Sequence, residues 1–87
     1  MASRRQLRVG TQWLYADDAE KLLKEAIRIL QLNVEAFPQS SNVYDSLAEA
    51  YMNDGEKPQA IVNYQKSLQM NPKNGGAVKM LQKLNAP

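Results

Sequence analysis

The chain contains no cysteine and no histidine among its 87 residues. Lack of cysteine excludes disulfides and thiolate metal sites, and lack of histidine removes the commonest metal ligand. Neither a metal nor a cofactor is therefore expected. Catalysis is not expected either: a serine nucleophile needs a base within hydrogen-bond reach, and histidine is not there to serve. Lysine could substitute, but Lys66 and Ser67 are helix neighbours that point to different sides. No glycine-rich phosphate loop exists, and Gly75 and Gly76 read as part of a turn. No apolar run approaches the roughly 20 residues needed to span a bilayer. The opening "MASRRQLRVGTQWLYA" has arginines but no continuous apolar segment after them, so it does not read as a secretory signal. A cytoplasmic protein with no membrane partner is the expectation.

Acidic residues are also missing from the first ten positions, where Arg4, Arg5 and Arg8 lie. The net charge of +2 is a property of that leading stretch, because from Val9 onward eight basic side chains face nine acidic ones. Residues 1–10 are expected to form a flexible basic arm. Three arginines could touch phosphates only weakly and with steep salt dependence, so nucleic acid ranks last among the partners considered. A chain this short lies near the lower limit for a self-sufficient core. Without staples it must rely on good helix packing or on self-association.

What is present is helical periodicity. Leu23, Ala26, Ile27, Leu30 and Val34 recur at the three-and-four spacing of one helical face, which predicts a helix over about 18–36. Asp17 followed by Glu20 has the form of a capping box, a more economical reading of Asp17 and Asp18 than a metal pair. Pro38 ends the helix, since the residue before proline is pushed out of the α region. Ser40, Ser41 and Asn42 are candidate N-caps for a second helix, 42–54, with Tyr44, Leu47, Ala48 and Tyr51 on one side. Gly55 stands where a left-handed C-terminal residue is wanted. Pro58 lies just inside a third helix, 57–70, whose inner face is Ala60, Ile61, Tyr64 and Leu68. "NPKNGG" breaks it, and a last helix over 76–84 turns Val78, Leu81 and Leu84 inward. No segment alternates with period two, so no strands are expected. Before residue 17 the choice is between an arm and one further helix.

A 34-residue period runs through this pattern, pairing Ala26 with Ala60, Ile27 with Ile61, Leu30 with Tyr64, Val34 with Leu68 and Pro38 with Pro72. It continues from Tyr44 to Val78 and from Leu47 to Leu81. Such recurrence predicts one supersecondary unit stacked on itself.

With Tyr44, Leu47, Ala48, Tyr51, Gly55, Ala60, Tyr64, Ser67 and Pro72 in its signature places, the segment 41–74 resembles a tetratricopeptide repeat. Ala48 replaces the usual glycine and Ser67 the usual alanine; both are small, and Ser67 could bond back to its own helix. Partial units flank this one, and residues 7–20 fit poorly, with Gly10 and Trp13 in place of the usual aromatic and leucine. The stretch from Leu32 to Pro72 is further similar to terminal repeats of some bacterial multidomain proteins, serine-hydrolase and β-lactamase-like ones among them. Their hydrolase domain has no counterpart here, so the chain would be a stand-alone unit or a piece of a larger protein.

The resemblance implies an all-α antiparallel helix-turn-helix solenoid fragment over 11–87, acting as a non-catalytic protein-interaction scaffold. It assigns the tyrosines to helix packing. It assigns partner binding to the concave face: Asn42, Asp45, Glu49, Met52 and Asn53 on the complete unit, with Lys79 and Lys83 on the last helix. Relatives that clamp a terminal carboxylate need polar groups where Ser46, Gly76 and Met80 stand, so that activity is not expected. The rival is a homodimer, an exchange of helices being one form of it: Leu22, Leu23, Ile29 and Leu32 exceed one apolar stripe, and a second chain or the segment Trp13, Leu14 and Tyr15 would have to cover the surplus.

Overall fold

Prolines and one glycine set the helix limits. The computed structural model describes residues 6–9 and 12–86, with side chains from Asp18 onward. It contains four helices: α1 (Ala16–Ala36), α2 (Ser41–Asn53), α3 (Lys57–Met70) and α4 (Gly75–Asn85). All four lie within two residues of the expected ranges. α1 and α3 end 34 residues apart, and α2 and α4 begin 34 residues apart.

The segment before α1 departs from expectation. β1 (Gln6–Val9) and β2 (Gln12–Tyr15) pair antiparallel, Gln6 opposite Tyr15 and Val9 opposite Gln12. This strand pair stands where a further helix was the alternative and corrects the expectation of no strands; of the expected arm over 1–10, residues 1–5 and 10 lie outside the described residues. Each run is too short for a stable helix, and Val9, Trp13 and Tyr15 are residue types that suit a pleated strand. The hairpin backbone runs against α1. Arg4 and Arg5, which carried the nucleic-acid reading with Arg8, lie outside the described residues.

Helix ends follow local chemistry. α1 starts at Ala16, so Asp17 lies inside the first turn and is not the N-cap. The end of α2 is a Schellman motif. The Gly55 amide donates to the Met52 carbonyl at 3.1 Å and the Glu56 amide to the Tyr51 carbonyl at 2.9 Å, with Gly55 at φ +77°. Ser40 is the N-cap of α2 by backbone angle, but its side chain makes no cap bond. Pro58 occupies the first turn of α3, where its missing amide proton costs nothing.

α2 and α3 form the central antiparallel hairpin, flanked by α1 on α2 and α4 on α3. One cluster joins Ala48, Ala60, Tyr64 and Ala77, with Tyr51, Met52, Leu68, Met80, Leu81 and Leu84 packed around it. A second joins Ile27, Leu47 and Ala50 to Leu23, Leu30, Val34 and Tyr51. Ala48, Ala60 and Ala77 have no exposed surface, which lets three helices approach closely. Tyr44 and Tyr64 are buried as expected, each ring worth about 2 kcal/mol of apolar burial. Val78 is not: α4 turns Ala77, Met80, Leu81 and Leu84 inward and leaves Val78 exposed, because no further helix among the described residues covers its other side. Gly75 and Gly76 belong to the first turn of α4, not to a turn between helices.

Candidate functional site

The seven residues assigned to the partner-binding face divide by what the fold asks of them. Asn42, Glu49 and Asn53 on α2, and Lys79 and Lys83 on α4, are exposed and make no hydrogen bond or ion pair with the described residues. Lys83 lies in the last turn of α4, where its charge suits the helix dipole. Met52 is half-buried against the Ala48 and Tyr64 cluster, so it is partly a packing residue. Asp45 is half-buried, and its Oδ1 accepts from Asn74 Nδ2 at 3.3 Å.

That bond belongs to a polar seam absent from the sequence reading. The Asn74 side chain caps α4, its Oδ1 accepting from the Ala77 amide at 3.2 Å. Its Nδ2 also donates to Ser67 Oγ at 3.0 Å. Ser67, with no exposed surface, does not bond back to its own helix; its hydroxyl donates to the Ser41 carbonyl at 3.1 Å. Ser41 Oγ completes the pairing, 2.8 Å from Ser67 Oγ and 3.0 Å from the Ser67 carbonyl. A serine at a place that packs helices is tolerated because its hydroxyl both donates, to the Ser41 carbonyl, and accepts, from Asn74. The seam ties the start of α2 and the end of α3 to the start of α4, and so holds Asp45 at the α2–α4 junction. The signal available in the sequence was Asn74 standing 34 residues after Ser40, immediately before a helical run.

Tyr64 adds to that junction. Its ring shares a cluster with Ala48, which lies between Asp45 and Glu49 along α2, with Ala60 and with Ala77 of α4. The phenol is held above its ordinary value, first by burial and then by the negative charges of Asp45 and Glu49. Tyr44, by contrast, has a structural hydroxyl, which donates to the Pro38 carbonyl at 3.1 Å, and Lys66 Nζ lies 5.6 Å from its ring centroid.

On the other side of α2, an open groove of about 360 Å³ is lined by Lys24, Arg28, Gln31, Tyr51 and Asp54 among others. Four of its polar groups pair with each other. Lys24 Nζ lies 3.1 Å from Asp54, whose hydrogen bond and charge raise the lysine's pKa, and Gln31 Nε2 donates to the Tyr51 hydroxyl at 2.7 Å. Tyr51 therefore packs in both clusters while its hydroxyl borders this groove. A second groove of about 310 Å³ on the outer side of α1 is lined by Glu25, Arg28, Ile29 and Leu32. Among the described residues no helix is long and apolar enough to cross a membrane.

In comparisons with protein-family models and with curated proteins, nothing matches the chain.

Proposed function

We propose that the chain is a non-catalytic, cytoplasmic interaction module of tetratricopeptide type, taking a protein segment on the face shared by α2 and α4. The observation that carries this reading is the unspent hydrogen-bonding capacity of Asn42, Glu49, Asn53, Lys79 and Lys83 beside the half-buried Met52. The fold uses none of those five polar side chains, whereas Asp45 next to them is held in place by Asn74. The 34-residue spacing of helix starts and ends supports the repeat assignment. A scaffold of this kind leaves function to the grafted surface.

The test is selection of binding peptides from a random display library, followed by mapping of their footprint by NMR. Shifts should concentrate on α2 and α4. Replacing Glu49, Asn53 and Lys79 together by alanine should abolish capture while leaving helicity and melting temperature nearly unchanged. Footprints confined to other faces, or full capture by the triple variant, would refute the reading.

Self-association is a second reading, favoured by the exposure of Leu22, Ile29 and Leu32 at 53%, 60% and 62% on α1. Apolar side chains in such a row gain about 25 cal/mol per Å² when a second chain covers them. Light scattering after size exclusion should give a dimer that Leu32→Glu dissociates; a monomer at high micromolar concentration would end this reading.

A further inference from the structure

Tyr64 is only 3% exposed, yet its hydroxyl bonds no group among the described residues. No fully enclosed side-chain oxygen or nitrogen among the described residues lacks a partner, so the Tyr64 oxygen must open onto the surface. Its ring belongs to the cluster that joins Ala48 of α2, Ala60 of α3 and Ala77 of α4, and the charges of Asp45 and Glu49 act on its phenol. Asp45 and Glu49 flank Ala48 there, four residues apart and so one turn from each other. Asn74 holds one Asp45 oxygen at 3.3 Å, which orients the carboxylate and leaves its remaining lone pairs available. Neither carboxylate has a lysine or arginine partner among the described residues. Two anions without a cationic partner among the described residues thus act on an unspent, otherwise enclosed phenol.

We propose that Asp45, Glu49 and the Tyr64 hydroxyl form a notch that accepts the guanidinium group of an arginine side chain carried by the partner. This inference rests on the reading of the α2–α4 face as the partner-binding surface. A guanidinium has five N–H donors in a planar fork, enough to reach both carboxylates and donate to the phenol oxygen, while the phenol proton turns to a carboxylate. Met52, half-buried beside Tyr64, offers apolar surface to the methylene stem. An ammonium group carries the same charge without the fork, so lysine should bind more weakly than arginine. Lys79 and Lys83, exposed on α4, would repel a second basic side chain of the partner and so favour a single arginine flanked by neutral or acidic residues.

The test is an NMR titration of the whole chain with N-acetyl-arginine methylamide, and in parallel with the citrulline analogue, which has nearly the same shape and no charge. The arginine compound should shift the Tyr64 ring and the α2 amides around Asp45 and Glu49 saturably, and citrulline should bind at least about fivefold more weakly. Asp45→Asn and Glu49→Gln should each weaken arginine binding about fivefold. Tyr64→Phe should weaken it about threefold with the melting temperature unchanged, because the hydroxyl it removes bonds nothing in the free protein. Equal shifts by arginine and citrulline, no saturable shift with arginine, or indifference to both carboxylate variants would each overturn the notch. If library peptides still footprint α2 and α4 in that event, only this inference falls; if they do not, the reading beneath it falls as well.

Discussion

Replacing Asn74 by alanine removes three interactions at once, and the structure allows each to be weighed. The cap bond to the Ala77 amide is worth about 1 kcal/mol. The bonds from Nδ2 to Ser67 and Asp45 add about 0.5–1.5 kcal/mol each, with the longer Asp45 bond at the low end. The expected loss is about 2–3 kcal/mol, which for a domain of this size lowers the melting temperature by roughly 8–20 °C. Serine and aspartate separate the contributions. Asn74→Ser keeps a capping oxygen and loses the amide donors, so it should cost about 1 kcal/mol. Asn74→Asp keeps the cap but sets a second carboxylate beside Asp45, so it should fall between serine and alanine near neutral pH. Chemical denaturation of the four proteins, followed by helical circular dichroism, supplies the numbers. A double-mutant cycle with Ser67→Ala should show a coupling of at least about 0.5 kcal/mol. Equal stability of the serine variant and the parent would refute the seam as a source of stability, and a loss below about 0.5 kcal/mol for alanine would refute the cap as well.

Gly55→Ala should cost about 1–2 kcal/mol through backbone conformation alone, because an added Cβ meets nothing within 4 Å and only the positive φ is unfavourable; an unchanged denaturation midpoint would show that the Schellman turn can relax. Tyr64 gives a pH dependence of definite sign. Its phenol pKa is raised in the folded protein, so the folded state holds that proton more tightly than the unfolded chain. The resulting stability is fully present below the ordinary tyrosine pKa of about 10 and is lost as pH rises through the folded value. Urea midpoints at pH 8 and above pH 10 should therefore fall more steeply for the parent than for Tyr64→Phe, and parallel profiles would contradict the assigned cause.

The helices were legible because their signals are local. Leu23, Ile27, Leu30 and Val34 show the face of α1 by spacing, and Pro38, Gly55 and Pro58 mark ends through restrictions that act within one or two residues. The hairpin at 6–15 was missed although its signals were present: two runs with strand-favouring residues separated by Gly10 and Thr11, with glycine first, as short hairpin links prefer. Four-residue runs carry too little periodicity to outweigh a neighbouring helix pattern. Val78 was misread because periodicity identifies a face without saying whether a neighbour exists to cover it. Of the candidate face, Asn42, Glu49, Asn53, Lys79 and Lys83 are exposed as the repeat pattern implies, while the partial burial of Met52 and the tethering of Asp45 came from packing.

The sequence by itself determined that the described chain is built of four short helices, where three of them stop, and which small and aromatic residues meet between them. Those properties depend on interactions across at most one helical turn. Only the tertiary structure decided that Ser67 bonds to Ser41, 26 residues away, and Asn74 to Asp45, 29 residues away. It also decided that the Tyr64 hydroxyl, on a residue only 3% exposed, finds no hydrogen-bond partner among the described residues. Hydrogen bonds over such separations form only after close packing has set the helices' rotation and depth, and a rotation of one residue along α2, which carries both Ser41 and Asp45, would break both.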